Sequence, residues 1–308
     1  MARLAGTYGE GDCRLWDDFL DSETENGIFA RILDEVDWTV MHHRGDEVPR
    51  SIAIQYMPQV DGSIPILRFP SDALPPLSPM SISVNQVRIA AEKLVGHGLN
   101  HVLVQNYRHG NDHITEHSDK TLDIAQGSII ANVSFGAERV MTLRTKRARK
   151  NVPVEPTKRL SQSIRLPHNS ALTMGLATNA KWLHGIRPNK KLEGLQTCEE
   201  LAYSGSRISL TFRQAATFVT ADRLRIFGQG ATCKSKDGAC RVDCNDSSAA
   251  ASEMLRCFGA ENQQSEFDWG AHYGGGFDVL KMTVAQNEPA EAEIPKSGTG
   301  LDQPASVK

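Results

Sequence analysis

Residues His101–Lys120 read HVLVQNYRHGNDHITEHSDK. An apolar run rich in β-branched residues is followed by a Gly/Asn turn, and a second short run closes on His117-Ser118-Asp119. Brief runs bounded by turn residues predict strands, and the pattern continues outward. SIIANVSF, RVMTLRT, SIRLP, SALTMG and RISLTFR follow, the last ending at Arg213, and Gly, Asn and Pro punctuate them. Several short strands punctuated in this way predict a sandwich or barrel rather than a βαβ sheet. The expected fold is mainly β with flanking helices, around a double-stranded β-helix (jelly roll) core.

The triplet at the end of the stretch carries chemistry. A His and an Asp two apart on a strand project to one side of the pleat. One neutral imidazole and one carboxylate are a single ligand short of the 2-His-1-carboxylate triad of non-haem Fe(II) oxygenases. H-x-D alone is common and the chain holds ten histidines, so the triplet needs company. His184, in TNAKWLHGI, follows the β-like run SALTMGLAT and is placed to reach the same pocket. Arg207 and Arg213 share one face of RISLTFR. A guanidinium holds a carboxylate through two parallel charge-assisted hydrogen bonds, as the distal end of a dicarboxylate such as 2-oxoglutarate requires. Tyr107, expected on the strand neighbouring the triplet, offers a hydroxyl. Singly, each has an ordinary reading: a packed strand-end histidine, or two arginines pairing at the surface. The joint order of Tyr, H-x-D, His and R-x5-R sets them apart.

Composition narrows the surroundings. The chain has 308 residues, 40% of them hydrophobic and 23% charged, ordinary for a globular protein. No apolar run approaches the roughly 20 residues needed to span a bilayer, and the first residues contain no apolar core of a secretory signal. Cytoplasm or nucleus is the expected location, with no membrane and no obligate protein partner. The formal charge of −3 argues against a nucleic-acid footprint spread over the whole chain. Arg139–Arg159, RVMTLRTKRARKNVPVEPTKR, runs the other way with Glu155 as its only acid. It reads as a phosphate-tracking patch, a nuclear-localisation cluster or a solvated loop between strands. Four of the six cysteines fall late, at Cys233, Cys240, Cys244 and Cys257. Their spacing fits no zinc knuckle, so reduced thiols are expected.

The chain divides into residues 1–95, N-terminal helices and a substrate lid; 96–218, the jelly-roll core; 219–284, an extension packing on that core; and 285–308, a polar, Pro-rich tail expected to be disordered. FLDSETENGIFARILDEV predicts one amphipathic helix capped by Ser22 or Thr24. VNQVRIAAEKLV predicts a helix on the sheet, and SSAAASEMLRCFG a helix in the extension.

Val48 to Ala216 resembles the AlkB family of Fe(II)/2-oxoglutarate dioxygenases, carried by NYRHGNDHITEHSDK, GSIIANVSFGAERVMTLR, LPHNSALTMG, WLHGI and RISLTFR, and is most similar to the eukaryotic DNA-repair branch. The resemblance implies that His117, Asp119 and His184 hold Fe(II). It implies that Arg207 pairs with the distal carboxylate of 2-oxoglutarate, that Tyr107 hydrogen-bonds the same cosubstrate, and that Arg213 supports its metal-chelating end. Gln105 stands where the family has Asn, another cosubstrate contact. The implied reaction consumes O2 and 2-oxoglutarate, releases succinate and CO2, and oxidises a C–H bond; N-alkyl substrates lose formaldehyde. Repair members carry an acid just after the iron-binding Asp that hydrogen-bonds the flipped base, whereas this chain has Lys120 and Thr121. Phe69 matches the aromatic residue that stacks on the base. The late segments FGQGAT and ENQQSEFDWGAHYGGGFDVL are similar to an extension of fungal relatives, some of which serve secondary metabolism. The missing acid, the acidic net charge and that extension favour a small-molecule substrate, amino-acid-derived or a secondary metabolite. The alternative is oxidative demethylation of alkylated nucleobases in DNA or RNA, with nucleic acid as partner.

Overall fold

Alternation along the strands decides where the site falls. In strand Arg207–Arg213, Ile208, Leu210 and Phe212 join one hydrophobic core, while Ser209, Thr211 and Arg213 line a cavity on the other side. Strand His101–Tyr107 repeats the division, with Val102 and Val104 in the same core and Leu103, Gln105 and Tyr107 at the cavity. The polar residues of these strands therefore converge on one face by the period of two.

The computed structural model describes residues 2–43, 45–70, 76–147, 159–245 and 247–280. A nine-stranded major sheet runs in the order Arg3–Tyr8, Cys13–Asp17, Ser170–Gly175, Ile129–Gly136, Arg207–Arg213, His101–Tyr107, Asp46–Tyr56 and Thr39–His43, with Leu77–Pro79 parallel beside Asp46–Tyr56. A four-stranded minor sheet, Ser161–Leu166, Arg139–Thr145, Trp182–Ile186 and Ile114–His117, faces it. Leu15, Ile130 and Leu172 of the major sheet pack against Leu143, Ile164 and Ile186 of the minor one. Two antiparallel sheets closed over one core make the expected jelly roll.

Helices Ile28–Glu35 and Ile82–Val95 cover the outer face of the major sheet, burying Ile28, Ile32, Val84 and Val87 against Val102, Val133 and Leu210. Each such aliphatic side chain contributes about 1.5–3 kcal/mol by leaving water. The single amphipathic helix expected before residue 40 is two. Gly27, in the left-handed region at φ 70°, separates Ser22–Glu25 from Ile28–Glu35, and the first helix is capped by Asp21, which accepts from the Thr24 amide at 2.9 Å. Neither Ser22 nor Thr24 is the cap. Residues 1–95 are also more than helices and a lid, because five strands of the major sheet come from them. Cys13–Asp17 pairs with Ser170–Gly175 and Asp46–Tyr56 with His101–Tyr107. Pairing between strands so far apart in the chain leaves little trace in local composition.

The extension packs on the core. Strands Thr217–Val219, Arg225–Gly228 and Cys240–Arg241 form a third sheet with Ile64–Ile66. Helix Ala249–Gln263, capped by Ser248, buries Ala251, Met254, Cys257 and Phe258 against Leu122, Tyr273 and Val279. One buried cation fastens the parts together. Arg68 reaches both Asp123 oxygens, Nε to Oδ2 at 3.0 Å and Nη2 to Oδ1 at 2.6 Å, and donates to the carbonyls of Gly230, Phe277 and Val279. The cysteine expectation is corrected: Cys233 and Cys240 are bridged, because the loop between strands Arg225–Gly228 and Cys240–Arg241 folds back and brings their Cα atoms to 6.0 Å. Cys13, Cys198, Cys244 and Cys257 are free. The tail at 285–308 and residues 148–158 of the basic run lie outside the described residues. Among the described residues no helix is long and apolar enough to cross a membrane.

Candidate metal centre

His117, Asp119 and His184 come together with their ligand atoms within 4.8 Å of one another, the one such group of His, Cys, Asp and Glu among the described residues. His117 ends strand Ile114–His117 and pairs across the minor sheet with His184, inside strand Trp182–Ile186. The sequence expectation put both members of H-x-D on a strand, but the strand stops at His117 and Asp119 lies in the turn beyond it. Asn179 holds that turn: its Oδ1 accepts from the Asp119 amide at 2.8 Å and its Nδ2 donates to the Asp119 carbonyl at 3.0 Å.

The donor set suits a divalent iron. The Nδ1–H of His117 donates to the Thr115 carbonyl at 2.8 Å, which leaves the Nε2 lone pair toward Asp119 Oδ1 at 3.9 Å. His184 Nε2 lies 3.7 Å from the same oxygen. Burial lowers both imidazoles, so both are neutral at physiological pH, the form that can donate a lone pair to a metal. Burial alone would raise the Asp119 carboxyl, but the Arg213 guanidinium and the two imidazoles hold it well below the usual carboxylate range. Arg213 donates from Nε to Asp119 Oδ2 at 2.8 Å, so one carboxylate oxygen is steadied while the other faces the imidazoles. In the structure, then, Arg213 steadies the Asp119 carboxylate.

Behind the triad a small inner cavity is bordered by Gln105, Tyr107, Asn132, Ser209 and Thr211. Beyond them lies Arg207, 0% exposed. Its Nη2 donates to Ser134 Oγ at 2.8 Å, and its guanidinium stands 5.3 Å from the Tyr107 ring centroid. Burial lowers its pKa to about 10, which leaves it charged at neutral pH. Nε and Nη1 are buried without a partner. A buried cation with two bare donors is unfavourable until an anion meets it, and a carboxylate fits that fork. The chain's own residues thus fit both Fe(II) and the distal carboxylate of 2-oxoglutarate. Tyr107 donates its hydroxyl to Gln105 Oε1 at 2.8 Å. It belongs to the major sheet, across the sandwich from His117, rather than to a neighbouring strand.

On the other side of the triad an outer cavity of about 690 Å³ opens, lined by His117, Lys120, Phe69 and Arg50, with Phe258 and Asn262 from helix Ala249–Gln263. Phe69 follows the pinned Arg68 and so has a fixed place on the wall. Thr121 turns away: its hydroxyl donates to Glu261, which also accepts from the Thr121 amide at 3.1 Å and the Tyr273 hydroxyl at 2.8 Å. Burial and Glu261 both raise the Tyr273 phenol. Asn179, Arg68, Asp123, Glu261 and Asn262 were invisible in sequence, since each acts through partners more than 50 positions away. The basic run is largely structural where it is described. Arg139 donates to the Asp112 and Arg187 carbonyls, Lys146 to the Glu261 carbonyl, and Arg144 pairs with Glu116.

Residues 12–213 match the family model of the 2OG-Fe(II) oxygenase superfamily. Over 132 residues the chain is 36% identical to the DNA oxidative demethylase ALKBH2 of Bos taurus, covering 42% of each chain. It is 28% identical over 206 residues to the alpha-ketoglutarate-dependent dioxygenase alkB homolog 3 of Bos taurus, covering 63% of each. The chain thus spans less than half of the first relative and less than two thirds of the second. A solved structure titled "The structure of OsALKBH1" aligns with 69% of this chain and 100% of its own at 15% identity, with a TM-score of 0.42.

Proposed function

The chain belongs to the 2OG-Fe(II) oxygenase superfamily and is AlkB-like in sequence, and from that premise we propose that it oxidatively demethylates alkylated nucleobases. The observation that carries the reading is similarity over the core to DNA oxidative demethylases. The outer cavity supports it, since Phe69 and the His117 imidazole both line it and offer faces on which a flipped base can stack. The sequence alone ranked a small molecule first, and the relatives reverse that order.

Bound Fe(II), with 2-oxoglutarate and O2, supplies the oxidation of the N-alkyl C–H bond, giving a hydroxyalkyl group that leaves as formaldehyde beside succinate and CO2. Arg207 and Tyr107 orient the cosubstrate from behind the metal. Arg213 keeps Asp119 ionised and turned inward. The apolar side chains of Phe69, Ile114, Leu255 and Phe258 exclude water from the reacting end. Incubating the protein with Fe(II), 2-oxoglutarate and methylated oligonucleotides, and following formaldehyde and the restored base by mass spectrometry, tests the proposal. Base restoration coupled to succinate is expected, and its absence on every methylated base would overturn it. One observation keeps the small-molecule reading as the second: helix Ala249–Gln263, from outside the matched core, walls the outer cavity. Succinate release driven by a free metabolite, with oligonucleotides inert, would establish that reading.

A further inference from the structure

We propose that the C-terminal helix Ala249–Gln263 reads the base, and that Asn262 reads it by donating a hydrogen bond. The cavity would then select methylated bases that carry a carbonyl at purine C6 or pyrimidine C4, beside the methylated nitrogen, over those that carry an amino group at that position. This inference rests on the demethylase reading above.

The polarity of Asn262 is forced by its partners. Its Oδ1 accepts from the Ser118 amide at 2.9 Å and from the Lys120 ammonium at 3.0 Å. Both partners can only donate, so the amide cannot be flipped. The Nδ2 group has no partner among the described residues, and Asn262 lines the outer cavity beside His117. What Asn262 offers a base is therefore N–H. Lys120, also on the wall, spends its ammonium on the Ser118 carbonyl and Asn262, and its charge opposes a cationic base.

Of the carboxylates on or next to the wall, Glu261, Glu116 and Asp119 are engaged elsewhere. Glu261, adjacent to Asn262, is 4% exposed and accepts from Thr121 and Tyr273. Glu116 pairs with Arg187 and Arg144. Asp119 divides its oxygens between Arg213 and the two imidazoles. Asp46 and Glu47 are exposed. Gln263, exposed at the helix end, can rotate and imposes no polarity. A base with an amino group toward Asn262 would set donor against donor and leave both unpaired. N1-methyladenine and N3-methylcytosine do so while carrying a positive charge near Lys120, which compounds the mismatch. N1-methylguanine, through O6, and N3-methylthymine, through O4, present an acceptor at that position and are neutral.

Single-stranded oligonucleotides bearing one lesion each test this in matched pairs, N3-methylthymine against N3-methylcytosine and N1-methylguanine against N1-methyladenine. The carbonyl member of each pair is expected to show kcat/KM higher by about tenfold or more, as for an unmatched buried hydrogen-bond donor. Asn262→Asp keeps the acceptor toward Ser118 and turns a second acceptor to the cavity, so it should lower that ratio about tenfold or invert it. The ratio is internal to one preparation, so it does not depend on how much of a variant folds. A wild-type ratio of one or below would overturn donor reading while leaving demethylation standing. Failure to restore any of the four bases would overturn demethylation and this inference with it.

Discussion

At the residue scale the decisive group is Arg207. Its strand register sets it opposite Tyr107 and Gly136, and full burial leaves two donors bare. Arg207→Gln should raise the apparent KM for 2-oxoglutarate about a hundredfold, in keeping with truncation of one partner of a buried charge pair. Succinate formation against cosubstrate concentration measures it, and an unchanged KM would remove Arg207 from the cosubstrate site. Much of this scale was legible. His117 and His184 meet as the order of residue types predicted, and Arg207 and Arg213 share one strand, because strand alternation carries spacing directly into direction. Thr121 was not legible as a structural residue. Its partner Glu261 is 140 positions away, and no local pattern reports such a pairing.

At the element scale the C-terminal extension is a working wall of the cavity, and the Arg68–Asp123 pair holds it there. Removing one partner of a buried pair leaves an uncompensated charge. Asp123→Ala should therefore destabilise the protein by about 3–5 kcal/mol, read as the shift in a urea unfolding curve. A smaller effect, below about 1 kcal/mol, is that of a surface pair and would contradict the burial seen here. The strands of the core and helix Ile82–Val95 were readable from apolar period and turn residues. Of the five N-terminal strands only Asp46–Tyr56 was, through the β-like run SIAIQYM; the others are short and hold few of the continuous apolar runs that mark central strands. The break at Gly27 was also missed, because amphipathic spacing continues across it while the backbone turns.

At the scale of the whole molecule, buried neutral histidines make stability depend on pH. His101, 2% exposed and facing Arg213, is pushed down to about 3 by burial and by that guanidinium. The unfolded chain takes up this proton near pH 6.5 and the folded protein does not, so His101's contribution is complete above about 6.5 and declines as pH falls toward about 3. The expected slope is about 1.4 kcal/mol per pH unit per histidine within that window, and burial moves His117 and His184 in the same direction. Metal-free protein unfolded in urea should keep its stability from pH 7.5 to about 6.5 and lose it from there to pH 5, and His101→Gln should lose less; equal slopes below 6.5 would show that His101 takes up its proton in the folded state. What the amino-acid order determined by itself was the strands of the core, the candidate metal and cosubstrate residues, and the reaction class, because alternation and ligand chemistry are local properties. Tertiary structure alone decided what surrounds the reacting position. The cavity wall is assembled from Phe69, Lys120 and Asn262, and their hydrogen-bonding polarity exists only once Ser118 and Lys120 have claimed the Asn262 oxygen.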